Sequence, residues 1–361
     1  MGTAPGWTRR PPVGTGSTWP ALELRPAGGR HPARSARGHT DLSLLHPNVI
    51  STKSPGSPVS PPPPATAPSK FKVFLRRLLS FVVLWTVLLT AMFCGTRTVS
   101  DGVFLVIMVF LVATGLGEFY GIAQKRDLVC FERWGIFGGV LLVVGTFLNL
   151  TGLIGSTGSP ARVNDFETSF LILFVLGLCL RQFFARSNTA GILAISVTLF
   201  GLMYVAWLLN FIQKINFFPR VDGHYYLLYF VLITKFSDTA AYAVGSLIGR
   251  HKMIPRISPG KTWEGFGGAV VVSTLASLVF VHFLGSRMAG MNSLHAIILG
   301  VLLSVAAVVG DLIESIFKRE AGVKDSGRFF PGIGGILDLL DSLLFNAPIM
   351  YLYLRHVLTP P

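Results

Sequence analysis

Apolar stretches of about 20 residues recur along this chain from Phe71 almost to its end. At about 1.5 Å per helical residue, a stretch of this length crosses a hydrocarbon layer of about 30 Å. The sequence therefore predicts an all-α, polytopic membrane protein with about nine transmembrane helices. The predicted spans cover approximately residues 73–96, 102–122, 134–156, 166–185, 189–211, 223–248, 263–285, 293–316 and 336–357.

The composition agrees with membrane embedding. The chain is 51% hydrophobic and only 13% charged, whereas a soluble domain carries about a quarter charged residues. Its net charge of +14 does not indicate nucleic acid as a partner, because the charges lie between long apolar runs and not on a soluble scaffold. Cys94, Cys130 and Cys179 are scattered, so neither a zinc site nor a disulfide framework is expected.

The basic residues between the spans predict the orientation. Counted from Lys70, seventeen Lys and Arg residues lie in one set of alternating segments and six in the other, while Lys235 falls inside a span. Because cytoplasmic loops hold the excess of Lys and Arg, we expect the N-terminus inside and the C-terminus outside.

Residues 1–69 differ from the rest of the chain. They are rich in Pro, Gly, Ser, Thr and Arg and contain no sustained apolar run, so they are expected to form a disordered extension and not a signal peptide. Two alternatives are open: residues 1–69 are a targeting extension, or the true start of the protein lies near Lys70. The predicted division is an N-terminal extension, 1–69, and a transmembrane domain, 70–361.

Carboxylates cluster toward one predicted side of the membrane. Asp238 interrupts the sixth span, Asp311 and Glu314 lie near the end of the eighth, and Asp338 and Asp341 begin the ninth. Each such group costs about 2.5 to 3.5 kcal/mol at the centre of a span. Residues three apart share a helix face, and converging carboxylates repel unless a cation lies between them. Oxygen ligands suit Mg²⁺, which makes a divalent cation between these helices the simplest hypothesis.

Other interpretations of the acidic residues remain open. They can pair with Lys235, Lys318 or Arg319, or cap helix starts. Glu118, an isolated acid in the second span, either lines the same cavity or reaches the membrane interface.

Two basic segments flank the acidic cluster. The first, GRHKMIPRISPGKTWEGFGG, contains a Ser-Pro-Gly-Lys-Thr string predicted as a turn before a helix, with amides and a lysine suited to an anion. It lacks the spacing of a Walker loop, and binding to anionic lipid headgroups is the alternative. The second, from Ser315, adds Lys318, Arg319, Lys324, Asp325 and Arg328. Acidic groups for a metal and basic groups for phosphates together favour phosphoryl-type transfer on a polyphosphate.

Two long strings carry a family resemblance. SDTAAYAVGSLIGRHKMIPRISPGKTWEGFGG begins at Ser237, and GDLIESIFKREAGVKDSGRFFPGIGGILDLLDSLLFNAP begins at Gly310. In these strings the chain resembles the phosphatidate cytidylyltransferases, over about residues 71–357. The resemblance implies that the phosphate of phosphatidic acid attacks the α-phosphorus of CTP, with Mg²⁺ assistance, at the cytoplasmic face of a bacterial inner membrane. It leaves open a second cation and a homodimer.

The resemblance also implies roles for individual residues. It makes Asp311, Asp338 and Asp341 the metal-site and catalytic carboxylates, with Asp238 close by in the substrate site. Ser258, Lys261 and Lys324 are expected to contact the CTP phosphates, with Lys324 counted among the catalytic residues. Lys318 or Arg319 is expected to hold the lipid phosphate.

Two positions depart from the family pattern. Ile333 stands where the family often has a histidine, and Leu339 where it often has an arginine. A phosphate dianion near neutral pH needs no proton removed before it attacks, so we expect activity to be retained. The competing interpretations are a CTP-dependent synthase or kinase for another membrane lipid, a secondary transporter with buried carboxylates, and an inactive homologue.

Overall fold

The computed structural model describes residues 86, 89–90, 95–153, 160–185, 190–327, 329 and 334–359. Eight helices in this part of the chain are long and apolar enough to cross a membrane, so the protein is an all-α, multi-pass membrane protein. They are α1 (Arg97–Gln124), α2 (Glu132–Leu150), α3 (Pro160–Phe183), α4 (Gly191–Asn216), α5 (Gly223–Ile248), α6 (Trp263–Leu284), α7 (Ser293–Glu320) and α8 (Ile336–Tyr353).

These helices correspond to the second through ninth predicted spans. The first predicted span, 73–96, lies almost wholly outside the described residues, as does the predicted extension, 1–69. Some ends differ from the prediction. The helix α2 stops at Leu150 and not near residue 156, because Gly152 adopts a left-handed conformation with φ of 74° and so ends the helix.

The Ser-Pro-Gly-Lys-Thr string is a strand, so the predicted turn at these residues is wrong. Strand β2 (Ser258–Thr262) pairs antiparallel with β1 (Lys252–Ile254), with Ile254 opposite Ser258. The chain reverses just before the string, where the Ile257 amide bonds to the Ile254 carbonyl at 3.1 Å. Pro259 is tolerated because each strand of a two-stranded sheet has a free edge that needs no amide donor.

Small residues bring α5 and α6 together and anchor this hairpin. A Cβ on Gly265 would lie 2.8 Å from the Ala241 carbonyl oxygen, and one on Gly268 would lie 2.5 Å from Val244. Such close backbone approach is typical of membrane helix pairs with glycine at the crossing. Thr262 caps α6 by accepting a bond from the Gly265 amide at 3.1 Å, so the hairpin leads directly into this helix.

Helix α8 occupies the centre of the bundle. In its most apolar 18-residue stretch, 61% is buried inside the protein, the largest share among the eight helices. Asn346 on α8 donates from Nδ2 to Thr234 Oγ1 of α5 at 2.8 Å and to the Leu303 carbonyl of α7 at 2.9 Å. These bonds fix α8 against the two helices that carry the other acidic residues. Beyond Tyr353 it continues as a π-helical turn, Leu354–Leu358.

A second π-helical segment lies inside α4. Residues Leu202–Trp207 separate the α-helical parts Gly191–Gly201 and Leu208–Asn216. Tyr204 in this segment packs its ring on Phe317 of α7 and Phe345 of α8, at centroid distances of 5.4 and 6.3 Å. Helix α4 therefore packs against both α7 and α8 at this segment.

Candidate active site

Three carboxylates from two helices meet at one point. Asp311 and Glu314 lie on one face of α7, and Asp341 faces them from α8; one oxygen of each lies within 4.8 Å of the others. The helices approach closely because residue 310 is glycine: a Cβ there would lie 2.6 Å from the Asp341 carbonyl oxygen. The spacing of these acids predicted that Asp311, Glu314, Asp338 and Asp341 converge; the structure brings together the first two and Asp341.

The buried end of this group is suited to a cation. The Glu314 side chain is fully buried, and its carboxylate makes an ion pair with Lys318 Nζ at 2.5 Å. Within the described part of the chain its Oε1 atom has no hydrogen-bond partner. A buried carboxylate oxygen without a partner is costly, and a metal ion held by all three carboxylates would remove that cost. Asp311, whose side chain is 40% exposed, leaves the group open on one side.

Asp338 lies outside this group of three and is held differently. Its carboxylate accepts bonds from Lys318 Nζ at 2.7 Å, from the Gly335 amide at 2.7 Å and from the Ser326 amide at 3.0 Å. Asp338 therefore caps α8 and ties the preceding loop to it, one of the roles that the sequence left open. Its inclusion among metal ligands stays a prediction.

Asp238 belongs to a second group of polar side chains beside the first. Its Oδ2 atom accepts bonds from Lys235 Nζ at 3.0 Å and from Ser342 Oγ at 2.9 Å. The same Lys235 ammonium donates to the Leu339 carbonyl at 3.0 Å and to Ser342 Oγ at 3.1 Å. Since the Ser342 amide bonds to the Asp341 carboxylate, the two groups are joined through one residue of α8.

The hairpin supplies a basic residue to the carboxylates. Lys261 Nζ lies 2.8 Å from Asp311 Oδ2 and 3.2 Å from the Val308 carbonyl oxygen. Arg319 Nε donates to the Ile257 carbonyl at 3.0 Å, which fastens the hairpin to the end of α7. Ser258 lies at the start of β2, and Lys324 is exposed in the loop after α7. Neither has a described polar contact with the carboxylates.

Glu118 is an acid whose role the sequence left open. Its carboxylate accepts bonds from Ser326 Oγ at 2.9 Å and from the Ile336 and Leu337 amides at 3.0 and 2.8 Å. A Cβ on Gly335 would lie 2.2 Å from Ser326 Oγ and 2.3 Å from Glu118 Oε2, so a larger residue there would force these side chains to move. The signal in the sequence was the acid itself, isolated in an apolar span, but its partners lie more than 200 residues away.

The charges at the site do not balance if all are ionised. Five carboxylates face three ammonium groups, which leaves two negative charges in excess. The carboxylates are Asp238, Asp311, Glu314, Asp338 and Asp341, and the ammonium groups are Lys235, Lys261 and Lys318. Glu118 is left out because its described partners are backbone amides and the Ser326 hydroxyl, and not one of these ammonium groups. One divalent cation would neutralise the excess.

Of the two positions that depart from the family pattern, one is described. Leu339 is half-buried on α8, and its carbonyl accepts the bond from Lys235. Ile333 lies outside the described residues.

Comparison with known proteins gives one family match and several relatives. The cytidylyltransferase family matches residues 75–357. A phosphatidate cytidylyltransferase of Staphylococcus saprophyticus is 34% identical over 226 residues, which cover 58% of this chain and 82% of that protein. Another, of Staphylococcus haemolyticus, is 36% identical over 221 residues, 61% of this chain and 78% of that protein.

A third relative is the protein YnbB of Escherichia coli, which is named uncharacterized. It is 38% identical over 161 residues, 44% of this chain, and the chain spans about half its length, 51%. The family match, over residues 75–357, covers more than half of this chain and includes almost all of the described helices. The chain belongs to the cytidylyltransferase family.

Proposed function

We propose that this protein transfers the cytidylyl group of CTP to phosphatidic acid and so makes CDP-diacylglycerol and pyrophosphate. A phosphate oxygen of the lipid forms a bond to the α-phosphorus of CTP, the bond from that phosphorus to the β-phosphate bridging oxygen breaks, and pyrophosphate leaves. The observation that carries the proposal is the group of Asp311, Glu314 and Asp341 beside Lys261, in a chain that matches the cytidylyltransferase family over residues 75–357.

The carboxylate group would hold Mg²⁺. Asp311, Glu314 and Asp341 offer oxygen ligands of the kind this ion prefers, and few enough to leave positions for water and phosphate oxygens. When bound there, Mg²⁺ supplies neutralisation of the charge on the polyphosphate. The buried Glu314 Oε1 atom, which has no hydrogen-bond partner among the described residues, supports this fit.

The basic residues of the site would bind and orient the two substrates. Lys261, on the exposed side of the carboxylate group, is placed to reach a triphosphate, and Ser258 and Lys324 are proposed as further contacts to CTP. Lys318 and Arg319, at the end of α7, are proposed for the lipid phosphate. No side chain is needed as a nucleophile, because phosphoryl-type transfer requires positioning and charge neutralisation, and the attacking phosphate brings its own charge.

The proposed location is the inner membrane of a bacterium, with the site at the cytoplasmic face. The seventeen-to-six distribution of basic residues supports this orientation, and the relatives are bacterial. We assign the activity to residues 70–361, since the family match begins at residue 75. The extension 1–69 is proposed to be dispensable for the chemistry.

The test is conversion of CTP and dioleoyl phosphatidic acid by the detergent-purified full chain, with and without Mg²⁺. CDP-diacylglycerol and pyrophosphate should appear together, in equal amounts, and only with the metal. The variant Asp341→Asn should form both products at least about a hundredfold more slowly, while Asp127→Asn, an exposed change just after α1, should behave as the wild type. CDP formed from a lipid alcohol would instead favour a kinase, and folded wild-type protein without product would refute the proposal.

A further inference from the structure

Lys235 is an intramembrane cation that the proposed reaction does not use. Its ammonium group has three donors, and three oxygens of the protein take them: Asp238 Oδ2, the Leu339 carbonyl and Ser342 Oγ, all at 3.0 to 3.1 Å. One of these oxygens is anionic and two are neutral. A carboxylate, a carbonyl and a hydroxyl are also the kinds of ligand that bind free hard cations in proteins.

The position of Lys235 along α5 excludes an ordinary surface ion pair. It is the thirteenth residue of a 26-residue helix, about 18 Å along the axis from either end, so its side chain cannot extend to a membrane interface as lysines near helix ends do. Its side chain is only 19% exposed. Asp238 Oδ2 lies 3.0 Å from the ammonium nitrogen, and Ser342, which also accepts from it, bonds through its amide to Asp341. A cation is thus held in the interior, beside the carboxylates of the site.

We propose that Lys235 is a tethered monovalent cation of the active site: its ammonium group occupies a cation position between α5 and the first turns of α8, so that the divalent ion is the one free cation the site takes up. The charge count supports this, since with Lys235 included the excess at the site equals the charge of one divalent ion. The identity of the reaction in this proposal rests on the proposed function. The presence of the ammonium group in a cation position does not depend on it.

A tethered cation has consequences that a free ion does not. Because the ammonium group is covalently attached, its occupancy is independent of salt, and wild-type turnover should be the same in potassium, ammonium or tetramethylammonium chloride. Removing the amine would leave the oxygens of Asp238, Leu339 and Ser342 without a cation. A small monovalent ion can then enter, whereas tetramethylammonium is too large.

The experiment compares the wild type with Lys235→Met and Lys235→Gln, and with Lys125→Met as a matched control on an exposed lysine after α1. Each full-length protein is placed in tetramethylammonium, ammonium or potassium chloride of equal ionic strength. Two quantities are measured: the thermal unfolding midpoint without nucleotide or Mg²⁺, and CDP-diacylglycerol formation with both.

We expect the wild type and Lys125→Met to show no difference between salts in either quantity. Both Lys235 variants should unfold at a lower temperature in tetramethylammonium, and their midpoints should rise in ammonium or potassium. Their turnover should fall about 10- to 100-fold, as when partners of metal ligands are removed, and should recover in part with the same ions. If Lys235→Met does not fold, Lys235→Gln, which keeps a polar end without the charge, carries the test.

Three results would overturn the proposal. Wild-type turnover that requires potassium or ammonium would reveal a separate free monovalent site. Variants that lose activity without any ion-specific rise in midpoint would assign Lys235 a structural role alone. A Lys235→Gln variant equal to the wild type would show that hydrogen bonding, and not charge, is what matters. Absence of product from wild type in every salt would refute the proposed function instead, and the midpoints would still decide the role of Lys235.

Discussion

Replacing Glu118 with glutamine should disturb the start of α8 while leaving the metal ligands themselves intact. In the native protein Glu118 Oε1 accepts from the Ile336 amide, and Oε2 accepts from the Leu337 amide and from Ser326 Oγ. Glutamine has only one acceptor oxygen. Its NH₂ group would take the place of the second carboxylate oxygen and would face an N–H or O–H donor there. At least one amide at the start of α8 therefore loses its partner.

The size of the effect follows from these contacts. Hydrogen bonds to a charged group contribute about 1.5 to 3 kcal/mol each, and a buried donor left without a partner costs about 1 to 3 kcal/mol. We expect Glu118→Gln to lower the free energy of unfolding by about 2 to 4 kcal/mol. Because α8 carries Asp341, turnover should fall about 10- to 100-fold, the usual effect of removing a residue that orients a metal ligand.

The assay is CDP-diacylglycerol formation over a range of Mg²⁺ concentrations, together with the thermal unfolding midpoint. A positioning role predicts that the Mg²⁺ concentration for half-maximal rate rises, which a merely stabilising role would not cause. Asp127→Asn is the matched control: it changes the same kind of acid near the end of the same helix, on an exposed residue whose φ of 55° asparagine tolerates. A Glu118→Gln protein with unchanged Mg²⁺ dependence and midpoint would refute the reasoning.

Three further predictions concern the site and its surroundings. Asp341→Asn should reduce turnover by about a hundredfold or more, since a catalytic metal contributes several kcal/mol, while gel filtration still shows a folded protein; a rate near the wild type would remove Asp341 from the metal site. Gly335→Ala should destabilise by about 1 to 3 kcal/mol through overpacking against Glu118, and in thermal melts its effect should not add to that of Glu118→Gln; simple additivity would contradict their contact. Glu167→Gln should cost about 3 to 5 kcal/mol, because it leaves Lys214 buried at 3% exposure without its charged partner, yet leave the KM for CTP unchanged; a changed KM would link this pair to the substrate site.

The membrane spans were predictable from the sequence because they depend on local hydropathy. Eight of them appear in the described part of the chain, with ends that differ by a few residues. The ends were harder because they depend on backbone conformation at single residues. Apolar sequence continues past Leu150, for example, but the left-handed Gly152 stops the helix.

The hairpin shows a different limit of sequence reasoning. Pro259 and Gly260 are typical of turns, and the string around them was predicted as one. Its actual structure depends on pairing with Lys252–Ile254, earlier in the chain. The pairing places Lys261 on the carboxylate of Asp311, a contact between residues 50 apart that no local pattern reveals.

The clustering of the acidic residues was predictable from the sequence, but the separate role of each residue was not. The spacing of three put Asp311 with Glu314 and Asp338 with Asp341 on shared helix faces. Which member of each pair faces the other helix depends on how α7 and α8 are rotated about their axes. In the structure Glu314 joins Asp311 and Asp341, whereas the family resemblance implied Asp338 as the third carboxylate.

The start of α8 explains why two acids three residues apart do different things. With Gly335 as the N-cap, Asp338 is the third residue of the helix, the position from which a carboxylate can bend back to the N-cap amide. One turn later, Asp341 is beyond reach of the free amides at the helix start and faces α7 instead. The Leu337 amide donates to Glu118, and Lys318 and the Ser326 amide donate to Asp338, so all three bonds fix that same start. The place at which α8 begins therefore sets the position of Asp341 against Asp311, and a shift of one residue would turn the ligand about 100° away from its partners.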